Sequence, residues 1–504
     1  MENNKDLLAE EMKEAQKAMK EDENKQGNNE RLKPEQIIHM IEDESKTYFF
    51  HDQEKEGYAK VEDETGYQVY KIRSEEYRKY ISSRVWALVW QAVPRETMNM
   101  VIQTLEAKAM FDGVEHRLHI RSVFHENNLW YDLGLGKAVK ITCDGWEIIN
   151  NCPILFKSLS HQEKQIEPVI AEPREISRIF NFLNLNNSID LQILIMAYVC
   201  AVLVPSIARP LLVVHGLQGS AKSTFLRIIK KLLDPSILDL LTYPKNSTEL
   251  IQILSHHYLV YFDNVSEIKE WLSDDLCRAC TGQAFSKRKL YTDDDDIVYN
   301  YKRSIGINGI NLVAEKPDLL DRSLIFELES ISPDNRKEEE TFWIRFAEEK
   351  PIILGAIFTT LSRAMKVKDS IVLEKKPRLA DFAVWGCAIS EALGYNKDAF
   401  LDSYNLNIEK QNAEALDASM VAQVIIGFME NKPDWKGSAK ILLDELGELA
   451  DEYGFKKDSH FPKSTRWLWR RVKEVKANLS SIGIEANYDD TSRPRQIMLV
   501  KKDS

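Results

Sequence analysis

At 504 residues the chain has length for about three domains, and its 44% hydrophobic and 29% charged content is that of a soluble globular protein. A formal charge of −12 argues against a wholly basic nucleic-acid binder, so any contact with DNA must come from local patches. No run of eighteen apolar residues occurs and the first twenty residues hold no apolar signal segment, so neither a membrane span nor a secretory leader is expected.

Six thinly spread cysteines point to a reducing, cytoplasmic compartment. Cys277 and Cys280 form a C-x-x-C pair that no second pair or nearby histidine completes, so both read as core thiols.

Residues 1–33 hold nine acids, seven bases and no aromatic side chain, which predicts a frayed or disordered tail. Residues 34–173 read as an α+β accessory domain. Short β-rich runs (Thr47–Phe50, Tyr67–Ile72) precede helices over Glu75–Ala92 and Arg95–Ala109. Strands follow at His116–Phe124, Leu129–Gly134 and Ala138–Ile149. His116, His119 and His125 lie close in sequence, but alternation puts the first two on opposite faces, which disfavours a metal site.

Helices over Glu175–Leu185 and Asp190–Val204 lead into Leu211–Val214, an apolar strand that ends at His215-Gly216. After a small-residue loop, Phe225, Leu226, Ile229 and Leu232 recur at helix spacing. Strand, loop, helix is the setting of a phosphate-binding loop, here Gly216, Leu217, Gln218, Gly219, Ser220, Ala221, Lys222, Ser223 and Thr224. Backbone N–H groups and the helix dipole suit a triphosphate such as ATP; Lys222 reaches its outer phosphates, and the Ser223 hydroxyl suits Mg2+. Ala221 stands where the usual pattern has a second glycine, which is tolerable if φ there is negative.

Tyr258–Phe262 is a second apolar run, ending at Asp263-Asn264, where an acid beside the phosphates holds Mg2+. A helix over Glu267–Cys280 follows, then a β-hairpin with Lys287, Arg288 and Lys289 on its rising strand and four aspartates, 293–296, at its tip. Asn308 ends the next strand, where a polar group orients water or senses the γ-phosphate. Arg322 precedes a further strand as a candidate arginine finger, reaching across a subunit boundary.

Lys222, Asp263, Asn308 and Arg322 follow the order Walker A, Walker B, sensor 1, arginine finger. With HGLQGSAKST, YFDNVS, INGI and KPDLLDR, this resembles the AAA+ ATPases, in particular superfamily 3 and minichromosome-maintenance-like helicases of phages, plasmids and other mobile elements. The resemblance implies an α/β P-loop core over 174–330 and a helical lid over 331–393, with Arg378 in a place similar to sensor 2 and so near ATP. It also implies a homo-oligomer, a hexamer, that hydrolyses ATP between subunits and moves on DNA. A primase or polymerase would act in trans. Two departures qualify it: Asn264 replaces the usual general-base glutamate, with Glu267 as a substitute, and the hairpin tip is acidic where related tips are basic.

A polar connector is expected over 394–417. From 418 to 504, helices over Val421–Glu430, Ser438–Tyr453 and Lys463–Ile482 precede two strands, which spells a winged helix. Fifteen bases against thirteen acids make this segment +2. In its third helix Leu468, Val472, Val475, Leu479 and Ile482 share one face; Arg466, Arg470 and Lys473 lie opposite, with Lys463 and Trp469 beside them. With Arg493 and Arg495 in the wing, these suit DNA phosphates; the bland alternative is a solvated basic face. The reading is therefore a DNA motor, a replicative helicase or initiator. The rival is an ATP-dependent switch on DNA, a regulator or defence sensor that unwinds nothing. A small-molecule kinase would have no use for Arg322 or the winged helix.

Overall fold

The computed structural model describes residues 32–44, 46–282, 285–288, 296–299, 302–310, 316–456, 458, 461–489 and 496–502. Nearly all of the expected tail, Lys289, Asp293, Asp294, Asp295, Arg493 and Arg495 lie outside the described residues, as do the side chains of Lys287, Arg288 and Asp296. The chain divides into two compact units, residues 1–117 and 118–504. Among the described residues no helix is long and apolar enough to cross a membrane.

In the first unit, helix α1 (Pro34–Glu44) precedes an antiparallel sheet of β1 (Lys46–His51), β2 (Gly57–Asp63) and β3 (Gly66–Lys71), followed by α2 (Glu75–Val89) and α3 (Arg95–Phe111). Ser74 caps α2 by accepting from the Tyr77 N–H, which satisfies one of the helix's free donors. Alternation along the strands sends Phe49, Ala59 and Val61 to one face, where they pack with Ile81, Val85 and Leu105 of the helices. His116 accompanies this unit, its ring nitrogen 3.0 Å from the Tyr48 hydroxyl.

The second unit opens with an antiparallel meander: β4 (Ser122–His125), β5 (Asn128–Gly134), β6 (Lys137–Thr142) and β7 (Gly145–Ile149). The run expected as one strand over 138–149 is two, because Gly145, with φ +153°, turns the chain. A 3-10 segment (Pro173–Asn181) stands where a helix was expected, and α4 (Ile189–Ala201) follows, buried on all sides from Ile193 onward.

At the centre is a parallel sheet in the order β13-β8-β12-β9: β8 (Leu211–His215), β9 (Leu259–Phe262), β12 (Ser304–Gly309) and β13 (Ser323–Glu327). Leu211–Val214 of β8 and all of β9 are continuous apolar runs because both faces of the sheet are covered. Between them run α5 (Lys222–Leu233), α6 (Ser247–His256), α7 (Glu270–Thr281), the β10–β11 hairpin (Phe285–Arg288, Asp296–Tyr299) and the short α8 (Pro317–Leu320). Cys277 and Cys280 are buried on α7, and burial pushes both thiols up to about 12. Leu129, Tyr131, Val139 and Ile141 of the meander share one core with α4, α5 and the 29-residue α9 (Glu339–Val367). Residues 118–149, grouped with 34–117 in the sequence reading, thus pack with the parallel sheet.

Helix α10 (Ala380–Ala392) precedes α11 (Lys397–Ala418), where a polar connector was expected. The polar residues have a structural use. Asn407 Oδ1 accepts from the Ile325 N–H at 3.1 Å and its Nδ2 donates to the Ile325 carbonyl at 2.8 Å, while Gln411 donates to the Ser323 carbonyl. Amide side chains thus complete the free edge of β13 as a strand would.

The last segment has α12 (Met420–Met429), β14 (Asp434–Ser438), α13 (Ala439–Glu452), α14 (Thr465–Ser481), β15 (Ile484–Asp489) and β16 (Gln496–Lys501). The strands form one antiparallel sheet in the order β14-β16-β15, so a third strand joins the two expected. Ser438 and Ser464 cap α13 and α14.

Candidate functional site

The site forms where β8 ends. Gly216 takes φ +147°, and a Cβ there would meet the Leu328 carbonyl oxygen at 2.2 Å, so only glycine fits. Gly219, at φ +81°, completes the turn, and Ser220 is sealed, its Oγ donating to the Leu217 carbonyl at 2.9 Å. Gln218 is exposed and Thr224 half-buried.

Ala221 corrects the expectation of a negative φ: it adopts φ +63°, ψ +30°, left-handed backbone. This is the conformation that the glycine of the usual pattern serves, and an L-residue holds it at a cost of about 1 kcal/mol.

Lys222 Nζ donates to the Gly216 and Leu217 carbonyls, both at 2.8 Å, and lies 3.3 Å from Ser220 Oγ. Desolvation lowers its pKa, and the nearby charge of Asp263 acts the other way. Ser223 Oγ donates to Asp263 Oδ1 at 2.7 Å, and Asn308 Nδ2 donates to the same oxygen at 2.7 Å. Asn308 Oδ1 accepts from the Asn264 N–H at 2.6 Å. Residues from β8's loop, the end of β9 and the end of β12 therefore meet in one polar cluster. The strands are parallel, so their carboxyl ends share one edge of the sheet.

Asn264 sits at φ +53°, a left-handed position that asparagine tolerates better than glutamate. The residue type at the expected general-base position thus has a backbone reason. Glu267 is exposed in the loop that follows.

Arg322, expected to reach a neighbouring subunit, is 9% exposed in the single chain, and its guanidinium binds the Asp318 carboxylate and carbonyl. Asp318 lies one helical turn earlier, which sets the pair's geometry. Arg378, half-exposed, donates to the same carboxylate at 3.2 Å. These two arginines form a cluster of their own around Asp318.

Sequence reasoning missed the segment after β13 that braces the loop. The Leu328 N–H donates to the His215 carbonyl at 2.8 Å and the Ile331 N–H to the Gly219 carbonyl at 3.2 Å. Asn184 Nδ2 bridges the Ser220 and Glu329 carbonyls, and the Arg336 guanidinium lies beside Gly219. The partners are far apart in sequence, so no local pattern announces them.

On α14, Arg466, Arg470 and Lys473 share one exposed face, and Lys463 is exposed just before it. Trp469, expected beside them, is buried against Tyr488, and Ile482, expected in the core, is 45% exposed past the helix end.

Residues 176–412 match the family model described as the actinomycete integrative conjugative element replication protein, and residues 421–504 match the model of that protein's C-terminal domain. Core and C-terminal segment alike match this replication-protein family. No curated protein matches the chain. Among solved structures, that described as "SCCmec type IV Cch - active helicase" is 10% identical over 90% of this chain and 92% of its own, with a TM-score of 0.45. An apo structure of the NrS-1 C-terminal region is 9% identical over 94% of this chain and 100% of its own, with a TM-score of 0.39.

Proposed function

We propose that this protein is an ATP-driven DNA motor serving the replication of a mobile element: an AAA+ core with a helical lid and a C-terminal winged helix, working as a hexameric helicase or initiator. The observation that carries the reading is the Ser223–Asp263–Asn308 cluster beside Lys222, at the carboxyl edge of a parallel sheet. The replication-protein match over the core and C-terminal segment supports it. The order β13-β8-β12-β9 also supports the AAA+ resemblance, with the loop-bearing strand inside the sheet.

The donors fit Mg2+. A hydroxyl and a carboxylate oxygen 2.7 Å apart, at the amino end of α5, are hard ligands facing the space that phosphates would share. Ser223 and Asp263 would hold the ion, which neutralises charge on the outer phosphates. The loop N–H groups bind and orient the phosphates, and Lys222 exchanges its loop carbonyls for phosphate oxygens. Asn308 aligns the attacking water, and Glu267 takes its proton, since the Asn264 amide cannot. Arg378 contacts the nucleotide from the lid. The exposed bases of α14 grip DNA phosphates.

Strand displacement on a forked duplex tests the motor, with Lys222→Ala as the blank. ATP binding and assembly without displacement on any fork polarity would leave the rival reading, an ATP-dependent switch on DNA. The engagement of Arg322 by its own chain and Asn264 in place of glutamate favour that rival.

A further inference from the structure

Glu270, the first residue of α7, holds a carboxylate between two cations from distant parts of the chain. Its Oε1 lies 3.5 Å from Lys316 Nζ, just before α8, and 3.5 Å from Arg470 Nη2, on the exposed face of α14. Each cation is 3.5 Å from one oxygen, so the two stand within 7 Å of each other. Like charges that close repel, and the shared carboxylate offsets the repulsion.

The placement does not depend on the pair itself. α14 packs against α8 and α11, and the buried Asn478 donates to Asn412 Oδ1 of α11 at 2.9 Å. That junction fixes where Arg470 emerges. Around it, Glu474 lies 3.4 Å from Arg470 Nε and 2.8 Å from Arg471, and Asp274 lies 3.5 Å from Lys316. Three bases and three acids thus neutralise one another along a face that otherwise presents Arg466 and Lys473. Arg470 and Glu270 are 67% and 69% exposed, so their pair exchanges partners readily.

A phosphate oxygen carries the same charge as that carboxylate and accepts the same donors. We propose that Glu270 stands, in the free chain, in the place of a nucleic-acid phosphate, at a site that Lys316 of the core and Arg470 of the C-terminal segment form together. The proposal rests on reading α14 as a nucleic-acid face, and it carries that face across to the core. When a strand binds, its phosphate takes both cations and Glu270 is released to water. Glu270 is seven residues beyond Asp263, so the exchange occurs at the start of the helix that follows the candidate nucleotide site.

Anisotropy titrations of a labelled single-stranded oligonucleotide with the full chain, at several salt concentrations, test this. Glu270→Gln is expected to tighten binding about two- to fivefold. Asp274→Asn removes the same charge one turn along, touches Lys316 alone, and is expected to gain less than half as much. The advantage of Glu270→Gln is expected to vanish in an Arg470→Ala background. Equal gains from the two acid variants, or an advantage that survives Arg470→Ala, overturn the proposal. Unchanged affinity in Arg466→Ala and Lys473→Ala would instead remove the nucleic-acid reading of α14, and this inference with it.

Discussion

Helix α5 has a polar cluster at each end, and the two are built in opposite ways. At the amino end Lys222, Ser223, Asp263 and Asn308 meet beside a half-exposed loop, and the Lys222 ammonium is held by loop carbonyls that a ligand can replace. At the carboxyl end Lys230 of the helix and Asp234, which caps it, close on Arg121, just before the meander, with all three nearly inaccessible. Asp234 accepts from Arg121 Nε at 2.9 Å, from Lys230 Nζ at 2.7 Å and from the Leu259 N–H at 3.1 Å. Lys230 also donates to the Leu259 carbonyl. The first cluster keeps exchangeable partners and access to water; the second is a sealed joint tying the helix, β9 and the meander together. Burial of charge therefore marks the joint, and replaceable bonds mark the site.

The sharpest way to break this contrast is at the joint. Asp234→Ala leaves Arg121 and Lys230 buried as unpaired like charges, with an expected loss of about 3–5 kcal/mol in denaturant unfolding. A loss below about 1 kcal/mol would mean that water reaches the joint and that the two ends differ less than the structure indicates.

Next in size is the loop. Lys222→Ala is expected to lower ATP turnover by about 10²–10³-fold, while unfolding shifts by less than about 1 kcal/mol. Should the variant lose stability as Asp234→Ala does, Lys222 would belong to a structural joint as well.

The amino-end cluster was largely legible in the sequence because its parts follow short apolar strands whose order fixes where they emerge. Leu211–Val214 leads into the loop that carries Lys222 and Ser223, Tyr258–Phe262 ends at Asp263, and Asn308 lies at the end of a third strand. The joint was not legible, since Arg121 and Asp234 are separated by 113 positions and neither sits in a pattern. Nor does the position of Arg322 before a strand reveal that Asp318, one turn earlier, holds its guanidinium. The polar run of α11 read as a connector because edge-capping amides such as Asn407 and Gln411 have the composition of a loop.

Acid acts near the joint. The rings of His161 and His257 lie 4.1 Å apart. Burial first, and then the charge of Lys230, pushes His161 down to about 4 and His257 to about 3; Asp234 acts the other way, and His256 adds to the lowering. Both stay neutral in the folded chain and take up protons once unfolded, so stability is full above pH 6.5 and falls as pH drops toward 4. Thermal melts between pH 8 and 5 should show a loss of about 1–2 kcal/mol, reduced by the solvent that still reaches His161. His257→Gln should flatten the acid limb, whereas Lys222→Ala should leave it as it is.

The smallest expected effect lies in the loop itself, at Ala221. Its left-handed backbone costs about 1 kcal/mol that glycine would not incur, and glycine costs part of that back through the entropy of the unfolded chain. Ala221→Gly is therefore expected to stabilise the fold by about 0.5 kcal/mol, visible as a higher denaturant midpoint at unchanged slope. The sign tests whether the site is held in shape before a ligand arrives. If the loop keeps its left-handed turn in the free chain, strain is present and its relief registers in the unfolding midpoint. If the loop relaxes to negative φ until phosphates bind, the variant loses stability by the glycine entropy alone, and the gain moves to nucleotide affinity. Measuring both quantities on one variant separates a preformed loop from one that its ligand completes.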